Sequence, residues 1–231
     1  MKLSIIVPVY NMAADGKLEY CLDSLVNQTI SDYEIIAVDD CSTDNSWDIL
    51  QSYAEKYPDK FYNIHSEVNK KQGGAKNIGM GLARGEWIGF IDSDDWITPD
   101  FYERLIRKGE ETGADMVGCD YHLTGEHSMK IGQVVPNNKP EQTGVLTREK
   151  YRSLLLDSGS LVVKVYRREI VIDHKSRFPE GIFYEDNALA NSWMLRAHHF
   201  EYIPEPLYYY YQHDTSTVHT INVKRCEDRM E

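Results

Sequence analysis

Residues 87–95 read WIGFIDSDD, an apolar run of aromatic and aliphatic residues that ends in three carboxylates within four positions. The run has the character of a strand buried on both faces of a parallel sheet. Clustered carboxylates repel and raise each other's pKa unless a cation sits among them. Alternating Asp residues at a strand end aim two oxygens toward one point, as a hard, oxygen-seeking Mg²⁺ or Mn²⁺ requires. An Asp-decorated helix start explains Asp95 through the helix dipole, but not all three acids. Asp92 and Asp94 are therefore candidate metal ligands. The Thr98-Pro99 pair that follows predicts the start of a helix whose inner face is Phe101, Leu105 and Ile106.

On either side of this stretch the same unit repeats. Leu3–Val9 is a continuous apolar run closed by Tyr10 and Asn11. Residues 17–30 place Leu18, Cys21, Leu22, Leu25 and Val26 at helical spacing. Residues 34–38 (EIIAV) run straight into Asp39 and Asp40, and Ser42, Thr43 and Asp44 offer N-caps for a helix carrying Trp47, Leu50 and Tyr53. Phe61–His65 reads as a third strand, 74–83 as a glycine-bounded helix and 114–121 as a further strand. This β-α-β-α order with short loops predicts a mostly parallel, open α/β sheet with helices on both faces, with ligands at the carboxyl ends of the strands. Residues 122–146 read as a hairpin or irregular insert, 147–156 as a capped helix, 161–166 as a strand and 184–197 as a helix. Two strands, 199–203 and 207–212, close the pattern. No repeat or low-complexity linker interrupts it, so one domain is expected over 1–231.

Composition bounds the chemistry. The chain has 231 residues, with 25 Lys+Arg against 37 Asp+Glu and a net charge of −12. That balance argues against nucleic-acid binding, which rests on clustered cations. Cys21, Cys41, Cys119 and Cys226 are scattered and read as reduced thiols of a cytoplasmic protein. No stretch reaches the ~18–20 apolar residues that span a bilayer, while docking at the inner face of a membrane stays open. The glycines form neither a dinucleotide fingerprint nor a phosphate loop: Arg84 stands where a third glycine is needed, and Met80 and Gly81 where Lys and Ser or Thr are required.

Three further positions read two ways on their residues alone. Asp39-Asp40 are equally turn and capping residues or ligands of a base and a ribose. Glu185-Asp186 begin a helix, where carboxylates favour the macrodipole, yet a positioned Asp is also a general base. His213, after the strand 208–211, is unassigned by itself.

Assembled in order, IIVPVYN (5–11), VDDCSTDNS (38–46), the stretch 73–96, YED (184–186) and YYYYQHDTS (208–216) resemble family 2 glycosyltransferases of the GT-A fold. The resemblance implies one Rossmann-like nucleotide-sugar-binding domain, with 1–121 as its nucleotide-binding half and 122–231 as its acceptor-binding half. Many members carry a further C-terminal region. It implies that Pro8, Tyr10 and Asn11 line the nucleotide pocket, that Asp39 contacts the base and that Asp40 sits near the ribose. Lys76 and Asn77, with Lys76 where the family usually has Arg, and Ser93 join the nucleotide-sugar contacts. Asp92 and Asp94 then form the DxD motif, Asp92 nearer the ribose, with His213 completing a site for Mn²⁺ or Mg²⁺. Asp186 is implied as catalytic base, with Glu185 positioning the acceptor. The expected reaction is inverting transfer from a nucleotide-diphosphate sugar, typically UDP-linked, to a hydroxyl of a glycan or lipid-linked acceptor in surface polysaccharide synthesis. A catalytically silent nucleotide-sugar-binding module and a nucleotidyltransferase are the alternatives.

Overall fold

Strand β1 (Leu3–Val9) is buried along its whole length, as its largely apolar sequence requires, and its polar residue Ser4 donates to the buried Glu34 Oε1 at 2.6 Å. It pairs in parallel with the equally buried β2 (Tyr33–Asp39) and with β4 (Trp87–Phe90), and β2 pairs with β3 (Phe61–His65). The computed structural model describes residues 1–212 apart from 131, 158, 173–175 and 184. Helix α1 (Lys17–Val26) follows β1, α2 (Ser46–Lys56) follows β2, and α3 (Lys71–Leu82) connects β3 to β4 and packs on β1 and β2. The two-residue β5 (Trp96–Ile97) leads into α4 (Phe101–Thr112), which covers β6 (Met116–Thr124). β7 (Gln133–Val135) folds back on β6 as a hairpin, and β8 (Gly144–Val145) precedes α5 (Arg148–Leu156), capped by Thr147. Then come β9 (Lys164–Arg167), the short α6 (Arg168–Val171), α7 (Glu185–Met194) and β10 (His199–Tyr211).

The strands form one sheet in the order β3-β2-β1-β4-β9-β6-β10-β5. It is mostly parallel, but β9 enters antiparallel between β4 and β6, and the short β5, β7 and β8 also pair antiparallel. Several boundaries differ from the sequence reading, and four are instructive. The segment after Thr98-Pro99 starts its helix only at Phe101, because Thr98 and Pro99 form a turn closed by Phe101 N–H on Thr98 O, 3.2 Å. Helix α1 stops at Val26 rather than near residue 30, where the Tyr33 hydroxyl caps the Leu25 and Val26 carbonyls at 3.0 Å each. The strand expected over 161–166 begins only at Lys164. The two strands expected over 199–212 are one: β10 stays paired with β6 through register shifts around Pro206. Proline gives no ladder N–H, and a bulge accommodates it without ending the strand.

The register decides the geometry of the site. Val9 lies beside Asp39, and Ile6 beside Phe90, so the carboxyl ends of β1, β2 and β4 open onto the same edge. Among the described residues Cys21, Cys41 and Cys119 are free thiols, and no helix is long and apolar enough to cross a membrane.

Candidate active site

A cleft of about 680 Å³ opens over that edge, with Pro8, Tyr10 and Asn11 on its wall. The loop after β1 is tied to the loop after β2. Asn11 N–H donates to Ser42 Oγ at 2.9 Å, and Thr43 N–H donates to Asn11 Oδ1 at 2.8 Å. The two consecutive aspartates after β2 part company. Asp39 is fully buried behind the wall, its Oδ2 beside His65 Nδ1 at 2.7 Å and accepting from Ser42 N–H at 3.3 Å. Asp40 faces the cleft: its Oδ1 accepts from Lys70 N–H at 2.8 Å, and its buried Oδ2 has no partner. Burial holds its carboxyl above the usual range. Strand alternation puts the two side chains on opposite sides: Asp40 lines the cleft and Asp39 does not, although Asp39 Oδ1 is likewise buried without a hydrogen-bond partner.

The acidic turn after β4 divides likewise. Asp92, Ser93 and Asp94 line the cleft. Asp95 is fully buried and accepts from the Tyr208 hydroxyl and, at 2.8 Å, from Tyr211 N–H, clamping β10 to the turn. Asp92 Oδ1 is buried without a partner. Burial, reinforced by the charge of Asp94 and partly relieved by Lys76, pushes Asp92 up to about 7. An orphaned carboxylate oxygen carrying uncompensated charge fits a divalent cation. Among the described residues no group of three His, Cys, Asp or Glu side chains could hold a metal ion. A cation at Asp92 and Asp94 would need oxygens from a ligand or water, the coordination that Mg²⁺ commonly takes beside phosphates. His213, the expected third ligand, and Tyr184 lie outside the described residues.

The remaining acids come from the first turn of α7. Glu185 and Asp186 line the same cleft as Asp94. Glu185 is committed to Lys76, at 2.7 Å, with both side chains at most 5% exposed. Burial pulls the Lys76 pKa down, but Glu185, Asp92 and Asp186 together hold it above the ordinary lysine value. The pair ties α3 to α7. Asn77, expected among the nucleotide-sugar contacts, is not on the wall. Its amide clamps Phe178 instead, accepting from Phe178 N–H and donating to Phe178 O at 2.9 Å each. Gly73 completes this junction, since a Cβ there would stand 2.2 Å from Pro179 O.

The cleft also uses residues the sequence did not single out. Tyr208 and Tyr210 line it while Tyr209 stacks on Trp96 on the other face, 5.7 Å between ring centroids, an alternation the Tyr-rich strand does advertise. Lys17, Lys71 and residues 160–163 carry no comparable signal.

The family model described as glycosyl transferase family 2 matches residues 4–173. The chain is 37% identical to the putative glycosyltransferase EpsH of Bacillus subtilis, covering 97% of this chain and 65% of that protein. It is 34% identical to a poly(ribitol-phosphate) beta-glucosyltransferase of Bacillus spizizenii, covering 91% of this chain and 32% of the relative. Among solved structures, S. aureus TarS 1–349 in complex with UDP-GlcNAc superposes with a TM-score of 0.79 at 26% identity, over 96% of this chain and 62% of TarS. The chain thus spans less than two thirds of the length of each of these relatives. Sequence family and sheet topology agree: this chain belongs to glycosyltransferase family 2 and has the GT-A fold.

Proposed function

We propose that the chain transfers a sugar, with inversion, from a UDP-sugar to a hydroxyl of a glycan or lipid-linked acceptor. The observation that carries this reading is that Asp92 and Asp94 share one cleft with Glu185 and Asp186. The UDP-GlcNAc bound to TarS supports a UDP donor. The similarity to a poly(ribitol-phosphate) glucosyltransferase supports a polymeric surface acceptor. Residues 1–121 would hold the donor and 122–231 the acceptor. The scattered free thiols suit a cytoplasmic site of action.

In this reading Asp40 accepts a hydrogen bond from the base through its orphaned Oδ2, and Pro8, Tyr10 and Asn11 enclose the nucleoside. Mn²⁺ or Mg²⁺ held by Asp92 and Asp94, with His213 as the expected third ligand, would supply Lewis-acid stabilisation of the departing diphosphate. Glu185 is neutralised by Lys76, so the proton of the acceptor hydroxyl is assigned to Asp186. A carboxylate taking that proton while the diphosphate leaves from the opposite face gives a single displacement and inversion, the face argument used for glycosidases. Tyr121 and Tyr210 add aromatic wall to the cleft.

A product assay tests the reading. UDP released from a UDP-sugar in the presence of Mn²⁺ and an acceptor supports it. Pyrophosphate released from UTP points to a nucleotidyltransferase, and binding without either product to a silent module.

A further inference from the structure

The cleft wall carries a buried cation that this chemistry leaves unused. Lys17, the first residue of α1, is 7% exposed and lines the cleft. Its nearest charge is Asp15, 3.9 Å away and itself 79% exposed. Among the described residues its ammonium donates no hydrogen bond within the ordinary range. A buried charge this poorly met is costly, and is a ready contact for an anion.

The course of α1 shows where that ammonium lies. Ser24 Oγ accepts from Ile97 N–H at 3.4 Å, and Cys21 Sγ approaches Asp92 O at 3.6 Å. Lys17 stands four residues before Cys21, one helical turn further along the same face. Lys17 thus lies one turn beyond the contact of α1 with the acidic turn and lines the same cleft as Asp92 and Asp94. The helix start there adds partial positive charge. Two other lysines lie on the wall. Lys76 pairs with Glu185, and the Lys71 ammonium sits 5.1 Å from the centroid of the Phe183 ring.

Charge balance gives Lys17 its partner. A divalent cation between two ionised aspartates is neutralised by its own ligands, so the charge of a diphosphate placed there still lacks a counter-charge. We infer that Lys17 binds the diphosphate of the donor, as a second positive centre beside the Asp92–Asp94 site. This rests on the nucleotide-sugar reading above. The contact strengthens as the sugar bond breaks and negative charge gathers on the leaving group, so Lys17 contributes to transfer as well as to binding.

The test is titration of UDP, and of uridine as a phosphate-free probe, into wild type, Lys17→Met and Lys17→Arg with Mn²⁺ present. Lys17→Met should weaken UDP about ten- to hundredfold, the range of one charge-assisted hydrogen bond. It should leave uridine unchanged, and Lys17→Arg should recover most of the loss. Lys17→Gln, which keeps a polar head, replaces the Met variant if that variant melts early. Unchanged UDP affinity in a folded Lys17→Met or Lys17→Gln variant overturns the assignment, as does an equal loss for uridine and UDP. A wild-type chain that binds none of UDP, GDP and dTDP overturns the nucleotide-sugar reading itself, and this inference with it.

Discussion

Residues 1–121 and 122–212 contribute to one cleft by different means. In the first region each chemically marked stretch sits at the carboxyl end of a parallel strand, and the register of buried apolar runs aligns those ends. In the second region Tyr208 and Tyr210 reach the cleft from strand β10, but its other cleft residues lie on loops and a helix start held by a few buried polar ties. Asn137 Oδ1 accepts from Ser160 N–H at 2.8 Å, Asn137 N–H donates to Asp120 Oδ1 at 2.9 Å, and Lys164 Nζ donates to Ser160 O at 2.7 Å. The start of α7 depends on Lys76–Glu185, and the segment before it on Asn77–Phe178. A sheet averages its register over many residues, whereas a polar tie fails with one substitution. The second region should therefore be the more sensitive to single changes away from the chemistry.

The largest effect expected is chemical. Asp186→Asn should cut transfer about 10²–10⁴-fold, the usual worth of a general base, in an assay of product formation. Transfer at the wild-type rate would remove the base from α7 altogether. Next comes the tie between the regions. Lys76→Met leaves Glu185 buried and unpaired, and should cost about 3–5 kcal/mol in denaturant unfolding. Lys76→Met combined with Glu185→Leu should recover much of that stability, and a stable single variant would mean that the ion pair does not hold α7. Asn77→Ala should cost about 1–3 kcal/mol by orphaning the Phe178 backbone groups. It should raise the acceptor KM while leaving UDP affinity unchanged; weakened UDP binding would return Asn77 to the nucleotide pocket.

The smallest effect concerns pH. Burial lowers the Lys164 pKa from 10.5 to about 7. Between those values the unfolded chain binds more protons than the folded one, so stability rises with pH through that window. The gain from pH 7 to pH 8 should be about 1 kcal/mol from this group. Lys164→Met should remove that increment, and an unchanged pH slope in the variant would contradict it.

Much of this was legible in the chain. Largely apolar runs bounded by polar turns located β1, β2 and β4, because a strand buried on both faces admits only polar groups that find partners, as Ser4 and Glu34 do in each other. The ordered motifs pointed to Asp92, Asp94, Glu185 and Asp186, all of which line the cleft. What stayed hidden depends on long-range packing. Nothing local tells that β9 enters antiparallel between β4 and β6, since four residues of strand pair either way. Pro204 and Pro206 read as a break because the bulge absorbing them exists only against β6. Which of Asp39 and Asp40 faces the cleft turns on a one-residue phase of the strand. Lys17 looked like any polar residue on an amphipathic helix until α1 was laid along the acidic turn.

The division of labour within the cleft is tested most directly by titrating UDP with and without Mn²⁺ into the wild type, Asp94→Ala and Asp186→Asn. The account predicts that Asp186→Asn binds UDP as the wild type does, while Asp94→Ala binds at least about tenfold more weakly and gains nothing from Mn²⁺. Mn²⁺-dependent UDP binding retained in Asp94→Ala, or lost in Asp186→Asn, would contradict it.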